Sequence, residues 1–281
     1  MNKPTPACIP RGLIRLFVLL VVIDYKTQMK ECSPRLFLLH PKGKGSCLNS
    51  LTNMNPLPTH KQVKSKERVQ KHGEVFTPQW VVNDMLDLLP AEVWAPEKKF
   101  LEPACGEGAF LVEIFKRKLQ KISAATQNEW EWQAVIATSS IYGIELLADN
   151  TKKCQLNIIQ IFNDFYNHRF PNTQDKEVTQ TVRFIIGRNI IQGNALTYRK
   201  CSLSCGNECT TCTLILFSEW IPLENDLIKR KDYTYKGIID AHHQRQASIG
   251  NLFEAEFTKE EYGLQKEYNP VNYKEIRYAK D

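Results

Sequence analysis

Phe100-Leu-Glu-Pro-Ala-Cys-Gly-Glu-Gly-Ala-Phe110, continuing as Leu111-Val-Glu-Ile114, is the stretch that decides the fold. It reads as a short buried strand, a tight turn with two glycines and the start of a helix. Gly106 and Gly108 lack a Cβ, so the backbone can turn sharply and approach a ligand closely. The helix beginning near Ala109 aims its free amides at whatever sits over the turn. Glu102 and Glu107 supply acceptors where a phosphate would be repelled. A glycine turn with carboxylates and no lysine suits a ligand bearing hydroxyls and an amine.

Working outward, a second strand is expected at Ile141-Tyr-Gly-Ile-Glu-Leu146 and a third at Ile190-Ile-Gln-Gly-Asn-Ala-Leu196. Helices are expected over Ala109 to about Gln120 and Ala148 to Phe165, with a further helix after the polar stretch 167–181. Strand, helix, strand, helix, strand implies a parallel α/β sheet. Glu145, at the end of the second strand, is where doubly wound folds place a carboxylate for a ribose hydroxyl. Upstream, His72-Gly-Glu-Val-Phe-Thr-Pro78 leads into an amphipathic helix that carries Val81, Val82, Met85, Leu86 and Leu89. Thr77 is the expected N-cap, with Pro78 at the first helical position.

The chain has 281 residues, 42% hydrophobic and 24% charged, and a net charge of +6. That charge is unevenly spread: residues 1–72 hold 13 Lys+Arg against 3 Asp+Glu, and residues 73–281 hold 24 against 28. The body therefore does not advertise a nucleic-acid surface by charge alone. Residues 1–60, proline-rich and without periodicity, read as a poorly ordered basic leader. Met54 is a candidate start of the true domain. The apolar run Leu16 to Ile23 is too short to span a bilayer, so no membrane partner is expected. Nine scattered cysteines fit a reducing, cytoplasmic setting.

Beyond residue 200 the pattern changes. Cys201, Cys205, Cys209 and Cys212 crowd into 12 residues; four thiolates at this spacing leave both a tetrahedral zinc and unbound thiols open. A strand is expected at Leu214 to Trp220, a charged turn at Lys229 to Tyr235 and a helix at Gly237 to Phe257. His242 and His243, adjacent on that helix, point to different faces and form no ligand pair. No pattern is evident from Gln265 to Asp281.

Four motifs occur in one order: Gly-Glu-Val-Phe-Thr-Pro, Glu-Pro-Ala-Cys-Gly-Glu-Gly-Ala-Phe, Tyr-Gly-Ile-Glu and Gly-Asn-Ala-Leu. The series resembles the amino-group DNA methyltransferases of restriction-modification systems, the adenine-N6 type in particular. The resemblance covers about residues 61–200 and implies a doubly wound parallel sheet of the class I S-adenosylmethionine-dependent methyltransferase type, incomplete on its C-terminal side. It implies S-adenosylmethionine as cofactor, with Thr77 and Pro78 near the methionine end. Glu102, Pro103, Ala104, Cys105, Gly106, Gly108 and Phe110 would form the pocket floor. Glu145 would bond the ribose hydroxyls, and Asn194, where the family more often has Asp, would face the adenine amine.

The family presents a flipped adenine to the methyl donor with Asn/Asp-Pro-Pro-Tyr/Phe. This sequence has no such tetrapeptide: Asn269-Pro270 continues as Val-Asn-Tyr273. On the resemblance, residues 201–281 are a Cys-rich insertion and a lead-in to a catalytic half that lies elsewhere. The implied partners are DNA and, for catalysis, possession of that half by a further segment or second chain. Two rivals stand beside this reading: a non-catalytic S-adenosylmethionine-binding remnant or subunit, and an NAD-type Rossmann oxidoreductase. Leu111 in place of the third glycine of Gly-x-Gly-x-x-Gly speaks against the latter, and the absence of Gly-Lys-Ser/Thr excludes a Walker loop.

Overall fold

The computed structural model describes residues 77–200, 212–248 and 263–280. The expected leader at 1–60, the start at Met54, and Cys201, Cys205 and Cys209 lie outside the described residues. So do the side chains of His242 and His243.

Three short strands, β1 (Phe100–Glu102), β2 (Ile141–Glu145) and β3 (Ile190–Gln192), form a parallel sheet in the order β1-β2-β3. Phe100 pairs with Ile141, and Gly143 with Ile190. The expected strand-helix alternation is therefore present. The first crossover, expected to carry one helix, carries two, α2 (Ala109–Lys121) and α3 (Gln127–Ser139); the second carries the two expected, α4 (Ala148–Arg169) and α5 (Lys176–Asn189). The polar stretch 123–133 leads into α3, which starts at Gln127. Thr126 and Glu129 close a reciprocal capping box there, each side chain bonding the other's backbone N–H. Asp175 caps α5 by accepting from the Glu177 N–H at 2.8 Å.

All five residues of β2 are buried, and the pleat sends them to two different neighbours. Tyr142 faces the C-terminal part of the chain, its hydroxyl donating to the Ser218 carbonyl at 3.0 Å. Gly143 faces α2, where a Cβ would meet Leu111 Cδ1 at 2.8 Å and Cys105 Sγ at 2.9 Å. Only glycine lets the turn after β1 settle onto β2 here.

The C-terminal part departs from expectation. β4 (Leu216–Pro222), β5 (Leu227–Thr234) and β6 (Leu264–Glu267) form an antiparallel sheet, with β7 (Val271–Asn272) also pairing with β5. The stretch from Lys229, expected as a charged turn, is the body of β5. Its charges are accommodated in pairs: Arg230, 3% exposed, donates from Nη2 to Asp232 Oδ2 at 2.5 Å and lies over the Tyr268 ring. The helix α6 (Tyr235–Ser248) follows. The patternless C-terminal stretch also has a place. Tyr273–Tyr278 forms a 3-10 turn fixed by Glu131, which is 2% exposed and accepts from the hydroxyls of Tyr166 and Tyr273 and from Lys274.

Asn189 ties the two sheets together. Its amide donates to the carbonyls of Ser139 and Ile141 and accepts from Trp220 Nε1 at 3.0 Å. No described helix is long and apolar enough to cross a membrane.

Candidate cofactor site

The site is built where three strands end. After β1, the backbone turns at Gly106 with φ +55° and at Gly108 with φ +90°, both in the left-handed region that favours glycine. The Gly108 N–H donates to the Cys105 carbonyl at 2.8 Å, closing the turn. Gly108 is the N-cap of α2, and no side chain caps that helix. Its first-turn amides are thus directed toward the space above the turn, as an anion- or dipole-binding helix terminus requires.

Glu145 fixes the relation between this turn and β2. Its Oε2 accepts from the Gly106 N–H at 2.8 Å and its Oε1 from the Leu147 N–H at 3.0 Å. The side chain is 8% exposed. Each carboxylate oxygen can accept more than one bond, so the group holds the turn and still has capacity for a pair of ligand hydroxyls. Its main-chain carbonyl accepts from the Gly193 N–H at 2.9 Å, which brings the exit of β3 to the same place. Asn157 of α4 anchors the turn from the far side by donating to the Glu107 carbonyl at 3.0 Å.

Beneath the turn two buried cysteines meet. A thiol hydrogen bond with Cys154 and burial hold Cys105 well above the usual thiol range, with the carboxylates of Glu102 and Glu145 adding to the effect. Cys105 is therefore a protonated packing group. The fit is close: a Cβ on Gly108 would stand 2.6 Å from Cys154 Sγ.

The residues expected from the sequence are distributed as follows. Glu102 ends β1 and is 2% exposed; Pro103 and Ala104 follow at the surface of the turn; Cys105, Gly106 and Gly108 form it. Phe110 is 1% exposed and supports the turn from the core. Glu145 is brought against Gly106, and Asn194 follows Gly193. Thr77 and Pro78 stand at the start of α1 (Gln79–Asp87), which reaches α2 through Gln79 Nε2 to Glu113 Oε2 at 3.4 Å.

Two local expectations are corrected. Pro78 occupies the N-cap position of α1 with no side-chain cap bond, its carbonyl accepting from the Val82 N–H at 3.1 Å, so Thr77 lies one residue outside the helix and does not cap it. Asn194 spends its side-chain oxygen on its own turn, accepting from the N–H of Leu196 at 2.9 Å and of Thr197 at 3.4 Å. What it still offers a ligand is its amide N–H₂. Of the cysteine cluster, only Cys212 is among the described residues, and no group of three metal-ligating side chains occurs among those residues.

Sequence reasoning missed Cys154, Asn157 and the Leu147 N–H. The signal for Cys154 was present but weak: it lies on the inward stripe of α4, where a small side chain leaves room for Gly108.

Chemically, the site sets the Glu145 carboxylate beside a helix N-terminus that no side chain caps. Neither comparison with curated proteins nor comparison with solved structures gives a match. A comparison with protein families does: residues 62–184 match the family described as N-6 DNA methylase, a span that ends within α5 and contains the glycine turn, Glu145 and both supporting cysteines. Over those residues the chain is similar to the N-6 DNA methylase family.

Proposed function

We propose that the glycine turn binds S-adenosylmethionine and that the chain serves site-specific adenine-N6 methylation of DNA within a restriction-modification system. The observation that carries the reading is the bond from Gly106 to Glu145. It sets a carboxylate with spare acceptor capacity beside a turn whose own residues, 102–110, include no lysine or arginine. A ligand with a ribose diol and positive charge on sulfur and nitrogen suits that surface; a diphosphate does not. On this reading the three parallel strands are one half of a class I methyltransferase sheet. Residues 61–200 are the cofactor domain, and residues 201–281 lead toward the rest of the enzyme.

The cofactor's sulfonium methyl supplies the electrophile. The chain's own residues hold it. Glu145 accepts the ribose hydroxyls, the turn at 105–108 lets the backbone lie against the ligand, and the Asn194 amide borders the adenine. Thr77 and Pro78 stand toward the methionine end. Polarising the target amine needs the Asn-Pro-Pro-Tyr type of loop, which the 281 residues do not contain. We assign that step to a further segment or a second chain.

A cofactor-binding subunit without catalysis of its own is the second reading. It is favoured by Tyr268-Asn-Pro-Val, the nearest sequence to the tetrapeptide. Tyr268 donates its hydroxyl to Asp232 at 3.2 Å and stacks on Arg230, and the Asn269 N–H donates to the Lys280 carbonyl at 3.0 Å. These are packing roles.

Calorimetry on Glu145→Ala tests the assignment. Losing hydrogen bonds to a charged group weakens S-adenosylmethionine binding by roughly 1–3 kcal/mol. Unchanged affinity in a folded variant removes Glu145 from the site.

A further inference from the structure

A polar cleft of about 460 Å³ opens at β3, the edge strand of the parallel sheet, where α4, the end of α5 and the β4–β5 hairpin converge. Pockets of this size hold small-molecule ligands. Gly187 lines the cleft from inside α5. A Cβ there would meet nothing within 4 Å, so no contact calls for glycine, which costs a helix interior about 1 kcal/mol relative to alanine. Its effect is to leave the helix backbone bare on the cleft side.

The charges around the cleft do not cancel. Asp232 is in its wall, 5% exposed, with both oxygens engaged. Oδ1 accepts from Ser218 Oγ at 2.7 Å and Arg230 Nε at 2.9 Å, and Oδ2 from Arg230 Nη2 at 2.5 Å and the Tyr268 hydroxyl at 3.2 Å. Four donors fill the acceptor capacity of a carboxylate, and Arg230 neutralises it. The other two charged groups of the lining are Arg188 and Lys200. Neither forms an ion pair among the described residues. Arg188 is held in place by the Phe184 ring, 5.5 Å from its guanidinium, and Arg230 lies 5.7 Å from the same ring. Of these two guanidinium groups, only Arg230 has its counter-ion there.

Two amides complete the lining. Gln155 Nε2 donates to the Ile190 carbonyl at 2.9 Å and Gln192 Nε2 to the Leu146 carbonyl at 3.4 Å. Each is thereby fixed by the backbone and keeps one N–H and its oxygen for a further partner. We propose that this cleft binds a small sugar phosphate, with the phosphate on Arg188 and Lys200 and the sugar hydroxyls on Gln155 and Gln192. A phosphate monoester carries close to two negative charges at neutral pH, which matches the two uncompensated cations. Hydroxyls both donate and accept, as the two amides do. None of these residues belongs to the glycine turn, so the site does not depend on the cofactor assignment.

Calorimetry on the intact chain, with ribose 5-phosphate, ribose and inorganic phosphate as probes, tests this. Ribose 5-phosphate is expected to bind one-to-one and at least about tenfold more tightly than either fragment, the scale of one hydrogen bond to a charged group. Arg188→Met and Lys200→Met are each expected to weaken it about tenfold. Arg183→Met, on the same helix but outside the cleft, is expected to leave it unchanged. Gly187→Trp, which fills the cleft from a position with open space, is expected to abolish binding while the circular-dichroism melt remains cooperative. Glu145→Ala is expected to retain it. The proposal is overturned if ribose 5-phosphate does not bind the wild-type chain, or if its binding survives Gly187→Trp. Loss in Glu145→Ala would place the ligand at the glycine turn, and equal affinity for inorganic phosphate would remove the sugar. Displacement by a short DNA duplex that itself needs Arg188 would make the cleft a nucleic-acid contact; each of these results overturns the assignment.

Discussion

The Glu145 carboxylate accepts the Gly106 backbone N–H at 2.8 Å, so the end of β2 and the turn after β1 form one rigid unit across 39 residues of sequence. Cys105 reinforces it, its N–H donating to the Ile144 carbonyl at 3.0 Å. The site's shape is thereby set by the sheet, without reliance on a flexible loop.

The two glycines of the turn should not tolerate substitution equally. Gly106→Ala pays for a left-handed backbone, about 1–2 kcal/mol, and meets nothing within 4 Å. Gly108→Ala pays the same and also drives a Cβ to 2.6 Å from Cys154 Sγ. We expect Gly108→Ala to lose roughly 1–3 kcal/mol more than Gly106→Ala in urea unfolding. Restoration of part of that loss by Cys154→Ala would identify the clash, and equal losses for the two glycines would contradict it.

Lys118 gives stability a pH dependence of known sign. It is fully buried in α2 and donates to the carbonyls of Ala95, Pro96 and Lys98 at 2.9, 3.2 and 2.6 Å, fastening the loop that enters β1. Burial pushes its ammonium down to about 7 from the ordinary 10.5. Between those values the unfolded chain binds the proton and the folded chain does not. Stability contributed at this position therefore rises with pH from about 7 to 10.5, by at most ~1.4 kcal/mol per pH unit. Unfolding free energies of the wild type and of Lys118→Met across that range should differ in slope, the wild type being steeper.

The junction at Asn189 should be among the least replaceable positions. Asn189→Leu leaves the Ser139 and Ile141 carbonyls and the Trp220 indole N–H without their partner. A loss of roughly 2–4 kcal/mol is expected, because several buried polar groups are orphaned together. Thermal melting reads it, and a loss below about 1 kcal/mol would show that water replaces the amide.

Tyr273 fastens the C-terminal 3-10 turn by donating toward Asn128 at 3.1 Å and Glu131 at 3.3 Å. In Tyr273→Phe, amide hydrogen exchange should quicken over Tyr273–Tyr278 and stay unchanged in β1, β2 and β3. Uniform acceleration would mean that this contact holds the whole fold and not the segment alone.

The strand-turn-helix unit was legible because its residues carry local physics. Glycines at positive φ, an apolar strand and an amphipathic helix point to one structure. Tyr-Gly-Ile-Glu was legible for the same reason, although its glycine serves packing against Leu111 and Cys105. The charged run from Lys229 misled because composition reads it as solvated. Arg230 and Asp232 are buried together, and that pairing is visible only once β4 and β6 flank them. Glu131 and Lys274, 143 positions apart, carry no local signal of their contact. Asn194 is a candidate site residue by its motif, yet its engagement with the N–H of Leu196 depends on the exit turn of β3, which the sequence left unspecified.

Calorimetric titration of the intact chain with S-adenosylmethionine and, separately, with NAD tests the central claim most directly. The account predicts saturable one-site binding of S-adenosylmethionine and no heat beyond dilution with NAD. Binding of NAD without S-adenosylmethionine would contradict it.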